Sequence, residues 1–219
     1  MTSTIGLIGL GAMGGGMAQS LRRAGFALNV YDVRAEAARA FAMDGGNACA
    51  TLAELGEKSE VVVCVVVNAA QTEAVLFGAD GTPGCAASMK PGSVFVMCST
   101  VDPNWSIALE ARLAEKGILY IDAPISGGAA KAASGEMTMM TAGKPEAYAK
   151  AGKALDAMAA QVYKLGDTAG NASKVKIINQ LLAGVHIAAA AEAMALGLRE
   201  GVDAAALYEV ITHLSLIHI

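Results

Sequence analysis

Apolar and polar positions along the first three quarters of the chain alternate between strand-like and helix-like patterns. Short apolar runs typical of strands occupy residues 5–10, 26–31, 60–67, 93–99, 118–122, 137–141 and 161–165, and a short strand is expected near Cys49. Stretches with helical spacing lie between them, at residues 13–24, 35–43, 51–56, 68–77, 105–116 and 145–158. The run at 60–67 is apolar on both faces, as expected for a central parallel strand. This alternation predicts an α/β fold with a doubly wound, mostly parallel sheet.

From residue 167 onward the pattern is helical only. A linker at 168–171 precedes a single long helix predicted at 174–197, and another helix begins near residue 203. We therefore expect two domains, with the sheet in residues 1–166 and the start of an all-helical domain in residues 167–219. Residues 181–198 approach the ~20 apolar residues that span a bilayer, but they include His186 and Glu192 and are rich in alanine. We expect a buried helix in a globular or dimeric core.

A glycine-rich turn follows the first predicted strand and opens the first predicted helix. Gly9 allows the tight turn, Gly11 lets a pyrophosphate approach the backbone, and Gly14 lets the helix pack on the strand. The acidic Asp32 ends the next strand, where a carboxylate can bind an adenosine ribose. The alternative is a glycine turn in some other βαβ unit. The combination predicts a Rossmann-type dinucleotide-binding domain, with cofactor contacts from Gly9, Leu10, Gly11, Ala12, Met13, Gly14 and Asp32.

Asp32 also bears on the choice of dinucleotide. A carboxylate accepts hydrogen bonds from a free 2′-hydroxyl and repels a 2′-phosphate, which favours NAD over NADP. Arg34, two residues later, could meet a phosphate. NAD is the expected cofactor.

Further candidate residues follow the other strand ends. Ligands of parallel sheets sit beyond the carboxyl ends of the strands, so residues after different strands can share one crevice. On this ground the residues expected around the crevice are Gly14, Asp32, Val67, Thr100 and those at 124–128. Val67 and Thr100 join the candidate cofactor-binding residues.

A second motif is the turn formed by Ser126, Gly127 and Gly128. It exposes backbone N–H groups and one hydroxyl, a donor set that can cradle a carboxylate. An ordinary glycine loop explains the composition equally well.

A third motif lies in the long helix. Lys176, Asn179 and Gln180 are three and four residues apart, so they project from one helix face among apolar neighbours. A solvated lysine with two polar neighbours is the alternative. Lys174 is a rival catalytic candidate.

Composition narrows the class of protein. The chain has 219 residues, of which 54% are hydrophobic and 16% charged, so a large core is expected and disorder is not. The net charge of −4 gives no reason to expect nucleic acid or an anionic membrane as partner. The cysteines lack disulfide or metal-ligand spacing, and Cys64 and Cys98 are expected to be buried thiols. The chain begins directly with a strand and no basic leader, so a cytoplasmic protein is expected.

Together the three motifs resemble the 3-hydroxyisobutyrate dehydrogenase-related enzymes, also called β-hydroxyacid dehydrogenases. The resemblance covers the chain to about Thr212 and implies NAD-dependent oxidation of a small hydroxy acid. It implies that Lys176 is the catalytic lysine, because the family's lysine stands three residues before the Asn of an Asn-Gln pair. It also implies that Ser126, Gly127 and Gly128 hold the substrate carboxylate, that Thr100 borders the nicotinamide, and that Asn179 or Gln180 assists at the substrate. Within the family, residues 176–196 most resemble the branch acting on four-carbon sugar acids, the threonate dehydrogenases.

The end of the chain departs from this resemblance. Family members continue with further helices, whereas residues 214–219 break the helical pattern. We expect an incomplete chain with a spurious tail, exposed apolar surface on the long helix, and a homo-oligomer formed through the helical domain. The alternative functions are a reductase acting on a semialdehyde or glyoxylate, and a dinucleotide-binding fragment without turnover.

Overall fold

The computed structural model describes residues 3–214. Its strands are β1 (Ile5–Ile8), β2 (Leu28–Tyr31), β3 (Asn47–Ala48), β4 (Val61–Cys64), β5 (Val94–Met97), β6 (Leu119–Asp122), β7 (Ile125–Ser126), β8 (Met137–Gly143) and β9 (Ala159–Lys164). Its α-helices are α1 (Ala12–Arg23), α2 (Ala35–Met43), α3 (Leu52–Lys58), α4 (Ala69–Phe77), α5 (Pro103–Ala114), α6 (Gly128–Ser134), α7 (Pro145–Met158), α8 (Asn171–Arg199) and α9 (Ala204–His213). A short 3-10 helix covers Cys85–Ala87.

The strands form one sheet in the order β3-β2-β1-β4-β5-β6-β8-β7, with β9 paired to β8. All pairs from β3 to β6 are parallel, which confirms the predicted α/β, mostly parallel, doubly wound fold. The exception within the sheet is β8, which runs antiparallel to β6 and β7. Only β7 and the short α6 separate β6 from β8, so the chain turns back without the longer crossover that a parallel pair requires.

Helices cover both faces of the parallel strands. Alternate strand residues such as Ile5 and Val63 pack with α1 and α7, and the intervening ones such as Val62 and Phe95 pack with α3, α4 and α5. Because both faces are covered, every residue of β4 is fully buried, which explains its uninterrupted apolar run. The strand nevertheless ends at Cys64, and residues 65–67 leave the sheet, so the predicted strand 60–67 was too long.

By internal contacts the chain divides into two compact units, residues 1–176 and 177–219. The helix α8 runs across this division, as the single long helix that the pattern predicted. The expected domain boundary at 166/167 stays a prediction.

The second unit exposes apolar side chains along α8. Leu181 is 65% and Ile187 72% exposed, so this helix is not buried within the described part of a single chain, and the expectation of exposed apolar surface is confirmed. Burial of the helix in a dimeric core stays a prediction. Within residues 3–214, α8 is the one helix long and apolar enough to cross a bilayer, by length and composition only. A core helix of a soluble protein meets the same criteria. The predicted tail at 215–219 lies outside the described residues.

Candidate active site

The glycines of the first turn each meet a distinct steric demand. Gly9 has a φ of +92°, and a Cβ there would lie 2.7 Å from the carbonyl oxygen of Val65. A Cβ on Gly14 would collide with the Gly9 carbonyl oxygen, so only glycine lets α1 pack on this turn. A Cβ on Gly11 would meet no atom within 4 Å, so this position faces open space. A tight turn, an open approach and a close helix contact are the features that a pyrophosphate-binding turn needs.

The start of α1 offers unpaired hydrogen-bond donors. Gly11 provides no side-chain cap, and the first helical hydrogen bond runs from the Gly15 N–H to the Gly11 carbonyl (2.9 Å). Within the described residues, the N–H groups of Ala12, Met13 and Gly14 have no acceptor. Free N–H groups and the positive end of the helix dipole suit an anion, so the turn fits a dinucleotide phosphate.

Asp32 is fixed against the same turn. Its Oδ2 accepts the Leu10 N–H at 2.7 Å, and its Oδ1 accepts the backbone N–H and the Nε of Arg34 at 2.9 and 3.3 Å. Burial alone would raise the pKa of Asp32, but these hydrogen bonds outweigh it and lower the pKa below its usual value. The side chain is therefore an ionised acceptor, which suits a ribose diol. The contact with Leu10 was not foreseen, since residue spacing carries no information on side-chain direction.

A cavity of about 500 Å³ opens beside Asp32. Its wall is mostly apolar, and its residues include Gly9, Gly11, Asp32, Arg34, Val66 and Val67. A mostly apolar cleft of this volume, with one carboxylate and an adjacent glycine turn with free N–H groups, can accept an adenosine.

The other candidates follow neighbouring strands along the carboxyl edge. Val67 and Thr100 are exposed after β4 and β5, and the Ser99 hydroxyl donates to the Val66 carbonyl (2.6 Å), which ties the two loops together. The turn containing Ser126 follows β6. Since β2, β1, β4, β5 and β6 are consecutive and parallel, the candidates after them line one edge of the sheet.

The glycine turn after β6 has an open donor set. Gly127 and Gly128 have φ values of 136° and 77°, which L side chains rarely adopt. Neither N–H group, nor the Ser126 hydroxyl, has a hydrogen-bond partner among residues 3–214. The turn opens α6, a helix that sequence reasoning missed. Ser126 lies in β7, opposite Thr138 of β8, so one side of the turn is fixed by the sheet. The turn can accept a carboxylate.

Asp122, the last residue of β6, binds the start of α8. Its carboxylate accepts hydrogen bonds from the N–H groups of Gly170 and Ser173 and from the Ser173 hydroxyl. Burial raises the pKa of Asp122, and these hydrogen bonds offset part of that effect. Sequence reasoning treated Asp122 only as a strand end. The available signal was an acidic residue ending a buried strand and a glycine preceding a long helix.

Lys176 lies one turn into α8. It is 7% exposed, and its ammonium has no ion pair or hydrogen bond within the described residues. Burial lowers the pKa of Lys176. Lys174 is exposed, with its Nζ 3.4 Å from Asn171 Oδ1. Asn179 and Gln180 are exposed residues of the second unit, further along the same helix.

The cysteines do not contribute to this site. All four are buried, free thiols, which confirms the expectation for Cys64 and Cys98. Burial raises the pKa of the Cys64 thiol to about 12, so it is protonated and unreactive at neutral pH.

A glycine turn with free N–H groups, an ionised carboxylate and a second turn with open donors lie along one edge of a doubly wound sheet, an arrangement typical of NAD-dependent oxidoreductases. The family described as the NAD binding domain of 6-phosphogluconate dehydrogenase matches residues 4–166, and that described as NAD-binding of NADP-dependent 3-hydroxyisobutyrate dehydrogenase matches residues 170–215. The chain belongs to the 3-hydroxyisobutyrate dehydrogenase-related family of β-hydroxyacid dehydrogenases.

Several characterised relatives are similar over nearly the whole chain. An L-threonate dehydrogenase from Cupriavidus necator is 62% identical over 213 residues, which cover 97% of this chain and 71% of the relative. An NAD-dependent L-serine dehydrogenase from Pseudomonas aeruginosa is 37% identical over 94% of this chain and 68% of its own length. The crystal structure of a 3-hydroxyisobutyrate dehydrogenase from Salmonella typhimurium superimposes with a TM-score of 0.89, at 43% identity, covering 97% of this chain and 73% of that one.

Proposed function

We propose that this chain oxidises a small hydroxy acid of the sugar-acid type, such as L-threonate, with NAD as cofactor. One observation carries the assignment of roles. Lys176 is buried and unpaired one turn into α8, and the start of that helix is bound to the end of β6, from which the Ser126–Gly128 turn departs. The helix that carries Lys176 and the Ser126–Gly128 turn are therefore both attached to the end of β6.

The chain's own groups divide the work of binding. The free N–H groups at the start of α1 bind the phosphates, and the Asp32 carboxylate binds the ribose hydroxyls. Val67 and Thr100 border the cofactor from the loops after β4 and β5. The N–H groups of Gly127 and Gly128, with the Ser126 hydroxyl, orient the substrate carboxylate. Bound NAD supplies the hydride acceptor.

Lys176 takes the proton of the substrate hydroxyl at its Nζ. A lysine at its usual pKa of about 10.4 is almost fully protonated at neutral pH and is a poor base. Burial lowers the pKa of Lys176, which increases the fraction of neutral amine. Asn179 and Gln180 assist at the substrate end.

The name of one matching family refers to NADP, whereas the ribose-binding position of this chain carries Asp32. Since both oxygens of this ionised side chain already face N–H donors, the group stays negatively charged and disfavours a 2′-phosphate. We propose that NAD is preferred.

We also propose a homo-oligomer formed through the helical unit, a cytoplasmic location, and a boundary between the two domains at residues 166/167. The exposed apolar side chains of α8 support the oligomer. The matches of different families to residues 4–166 and 170–215 support the boundary.

The decisive experiment compares Lys176→Ala with Lys174→Ala. We measure NADH formation with a panel of hydroxy acids, including L-threonate, L-serine and 3-hydroxyisobutyrate, and NAD binding by calorimetry. Lys176→Ala is expected to lower kcat by about 10²- to 10⁴-fold, as removal of a general base does, with NAD affinity unchanged. Lys174→Ala should behave as the wild type because Lys174 is exposed.

Retained turnover in Lys176→Ala would exclude Lys176 as the proton acceptor. NAD binding without turnover on any panel member would instead support a binding fragment. Faster NADH consumption with aldehydes than NADH formation with hydroxy acids would support the reductase.

A further inference from the structure

The start of α8 is held by a carboxylate from a distant part of the chain. Asp122, at the end of β6, is fully buried. Its Oδ2 accepts the N–H groups of Gly170 at 2.9 Å and of Ser173 at 3.0 Å, and its Oδ1 accepts the Ser173 hydroxyl at 2.7 Å. Asp122 therefore makes three contacts with the first turn of one helix.

These contacts replace the usual capping side chain. In a helix beginning at Asn171, Gly170 and Ser173 occupy the N-cap and N3 positions. A capping box satisfies the N–H groups of those two positions with side chains of the helix itself. In this chain one remote carboxylate satisfies both, and its negative charge suits the positive end of the helix dipole.

The approach of the chain to α8 is also constrained from α5. Gly170 has a φ of +88°, and a Cβ at this position would lie 2.8 Å from the Pro103 carbonyl oxygen. The N-cap residue lies so close to the first residue of α5 that only glycine fits there. Contacts from β6 and α5 thus leave the first turn of α8 little freedom.

Lys176 depends on this turn. It lies three residues after Ser173, and it makes no polar contact of its own within the described residues. The position of its side chain therefore depends on the backbone of the helix that carries it. A rotation or fraying of the first turn would move the ammonium and admit water around it.

We propose that Asp122 is a positioning residue for Lys176: it fixes the first turn of α8 so that the lysine side chain stays buried. The proposal rests on the proposed function, in which Lys176 accepts the substrate proton. Asp122 itself touches neither substrate nor cofactor in this scheme.

The first test measures the helix start without requiring turnover. Hydrogen exchange of the Gly170 and Ser173 amides is compared in the wild type, Asp122→Ala and Asp122→Asn. Asp122→Ala should accelerate both amides by about tenfold or more, because each loses its acceptor. Asp122→Asn keeps one carbonyl oxygen at the Oδ2 position and should stay within about threefold of the wild type.

A matched control removes another helix cap of the same chemistry. The Asp203 carboxylate accepts the N–H groups of Ala205 and Ala206 at the start of α9, at 3.1 and 3.0 Å. Asp203→Ala should accelerate exchange in α9 and leave Gly170 and Ser173 unchanged. Faster exchange at the start of α9 as well as at the start of α8 in Asp122→Ala would point to general destabilisation and would overturn the proposal.

The second test observes Lys176 directly. Reductive methylation with ¹³C-formaldehyde labels the lysines, and Lys176→Arg identifies the Lys176 resonance by its absence. In Asp122→Ala the pKa of Lys176 should move upward toward its usual value, because a displaced lysine is better hydrated. An unchanged pKa of Lys176 in that variant overturns the proposal.

A milder variant covers the case in which Asp122→Ala does not fold. Ser173→Ala removes only the hydroxyl contact to Oδ1 and leaves both backbone contacts. It should shift the pKa of Lys176 upward by less than Asp122→Ala would. If Asp122→Asn accelerates the exchange of Gly170 while both Asp122→Asn and Ser173→Ala leave the pKa of Lys176 unchanged, the carboxylate does not position the lysine.

Kinetics separate this proposal from the proposed function. Asp122→Ala should lower kcat per NAD-binding site by at least about tenfold, with KM for NAD within about twofold, since the turn at α1 is untouched. Full turnover in Lys176→Ala would overturn the base assignment while the exchange and titration results still stand. Loss of turnover in Lys176→Ala with wild-type kcat in Asp122→Ala would overturn the positioning role alone.

Discussion

The surroundings of Lys176 make its charge state sensitive to pH. The side chain is buried and lacks a counter-ion within the described residues, so the protonated form is disfavoured and the pKa lies below its usual value. A base with a lowered pKa becomes active at a lower pH than an exposed lysine. The same feature costs stability when the residue is protonated.

The pH profile of turnover follows from this pKa. Below the pKa of Lys176 in the folded protein, kcat/KM should rise about tenfold per pH unit, and it should level off before the usual lysine pKa is reached. The measurement is NADH formation across a pH series with a saturating cofactor. A profile that rises only near the usual pKa of lysine would contradict a buried catalytic Lys176.

Stability should respond to the same titration. The pKa of Lys176 is lower in the folded state than in the unfolded state. Burial of the protonated lysine therefore destabilises the fold to its full extent below the folded pKa, and this destabilisation disappears as the pH rises above the unfolded pKa of 10.5. Lys176→Met should therefore raise the free energy of unfolding at pH 7, and the gain should shrink as the pH rises toward 10.5. Urea unfolding at several pH values measures this, with Lys174→Met as the exposed control.

At the scale of elements, α1 and α6 approach closely through a glycine. A Cβ on Gly16 would lie 2.6 Å from the Ala133 nitrogen, whereas one on Gly15 would lie 3.4 Å from its nearest neighbour, the Leu10 carbonyl oxygen. The Ser20 hydroxyl also donates to the Ala132 carbonyl at 3.0 Å. The helix that begins at the glycine turn after β1 is thus held against the helix that begins at the Ser126–Gly128 turn.

Two neighbouring substitutions test this contact. Gly16→Ala should destabilise the fold by about 1–3 kcal/mol because the added methyl group forces two backbones apart. Gly15→Ala should be neutral or stabilising by up to about 1 kcal/mol, since it adds helix propensity without a clash. Thermal unfolding of both variants gives the comparison. Equal changes in the free energy of unfolding for the two variants would show that α6 accommodates the methyl group at position 16 without destabilising the fold.

The elements that sequence reasoning located and those that it missed differ in their apolar pattern. Helices α2 and α7 were predicted to the residue because Ala35–Met43 and Pro145–Met158 carry a full periodic pattern with clear breaks. The helix α6, Gly128–Ser134, has only small residues and one lysine, so its sequence shows no apolar face that would predict a helix. The two-residue strand β7 is too short for any period to show.

In the site, features local to one turn were predictable from the sequence, and contacts between distant residues were not. Gly9, Gly11 and Gly14 met the steric demands assigned to them because those demands are local to one turn. The contacts of Asp32 with Leu10 and of Asp122 with α8 join residues 22 and 48 or more positions apart. Such contacts depend on how strands and helices pack, and a single sequence without aligned relatives does not encode them in any local period.

At the scale of the whole molecule, the second unit carries an exposed apolar surface. Leu181, Leu182, Val185 and Ile187 are between 51% and 72% exposed along α8. Contiguous apolar surface of this kind marks an interaction site, and a second copy of the chain is the partner we expect.

Self-association in solution is therefore expected. Light scattering after size exclusion should give a mass above that of the 22.1 kDa chain, and replacing the four residues by Gln should return the mass to that of one chain. Met43, 88% exposed on the first unit, serves as the control, because Met43→Gln should leave the mass unchanged. A monomeric wild type that floats with lipid vesicles would instead indicate a membrane surface as the partner.

The anchoring of α8 to the end of β6 has a consequence for recombining relatives. The division into compact units falls immediately after Lys176, so the Gly9–Gly14 turn, the Ser126–Gly128 turn and Lys176 all lie in residues 1–176. A junction at 176/177 would transplant a foreign helical unit without separating the lysine from Asp122. Chimeras joined at this point are expected to keep Lys176 together with the Ser126–Gly128 turn and to exchange Asn179, Gln180 and the exposed apolar surface of α8.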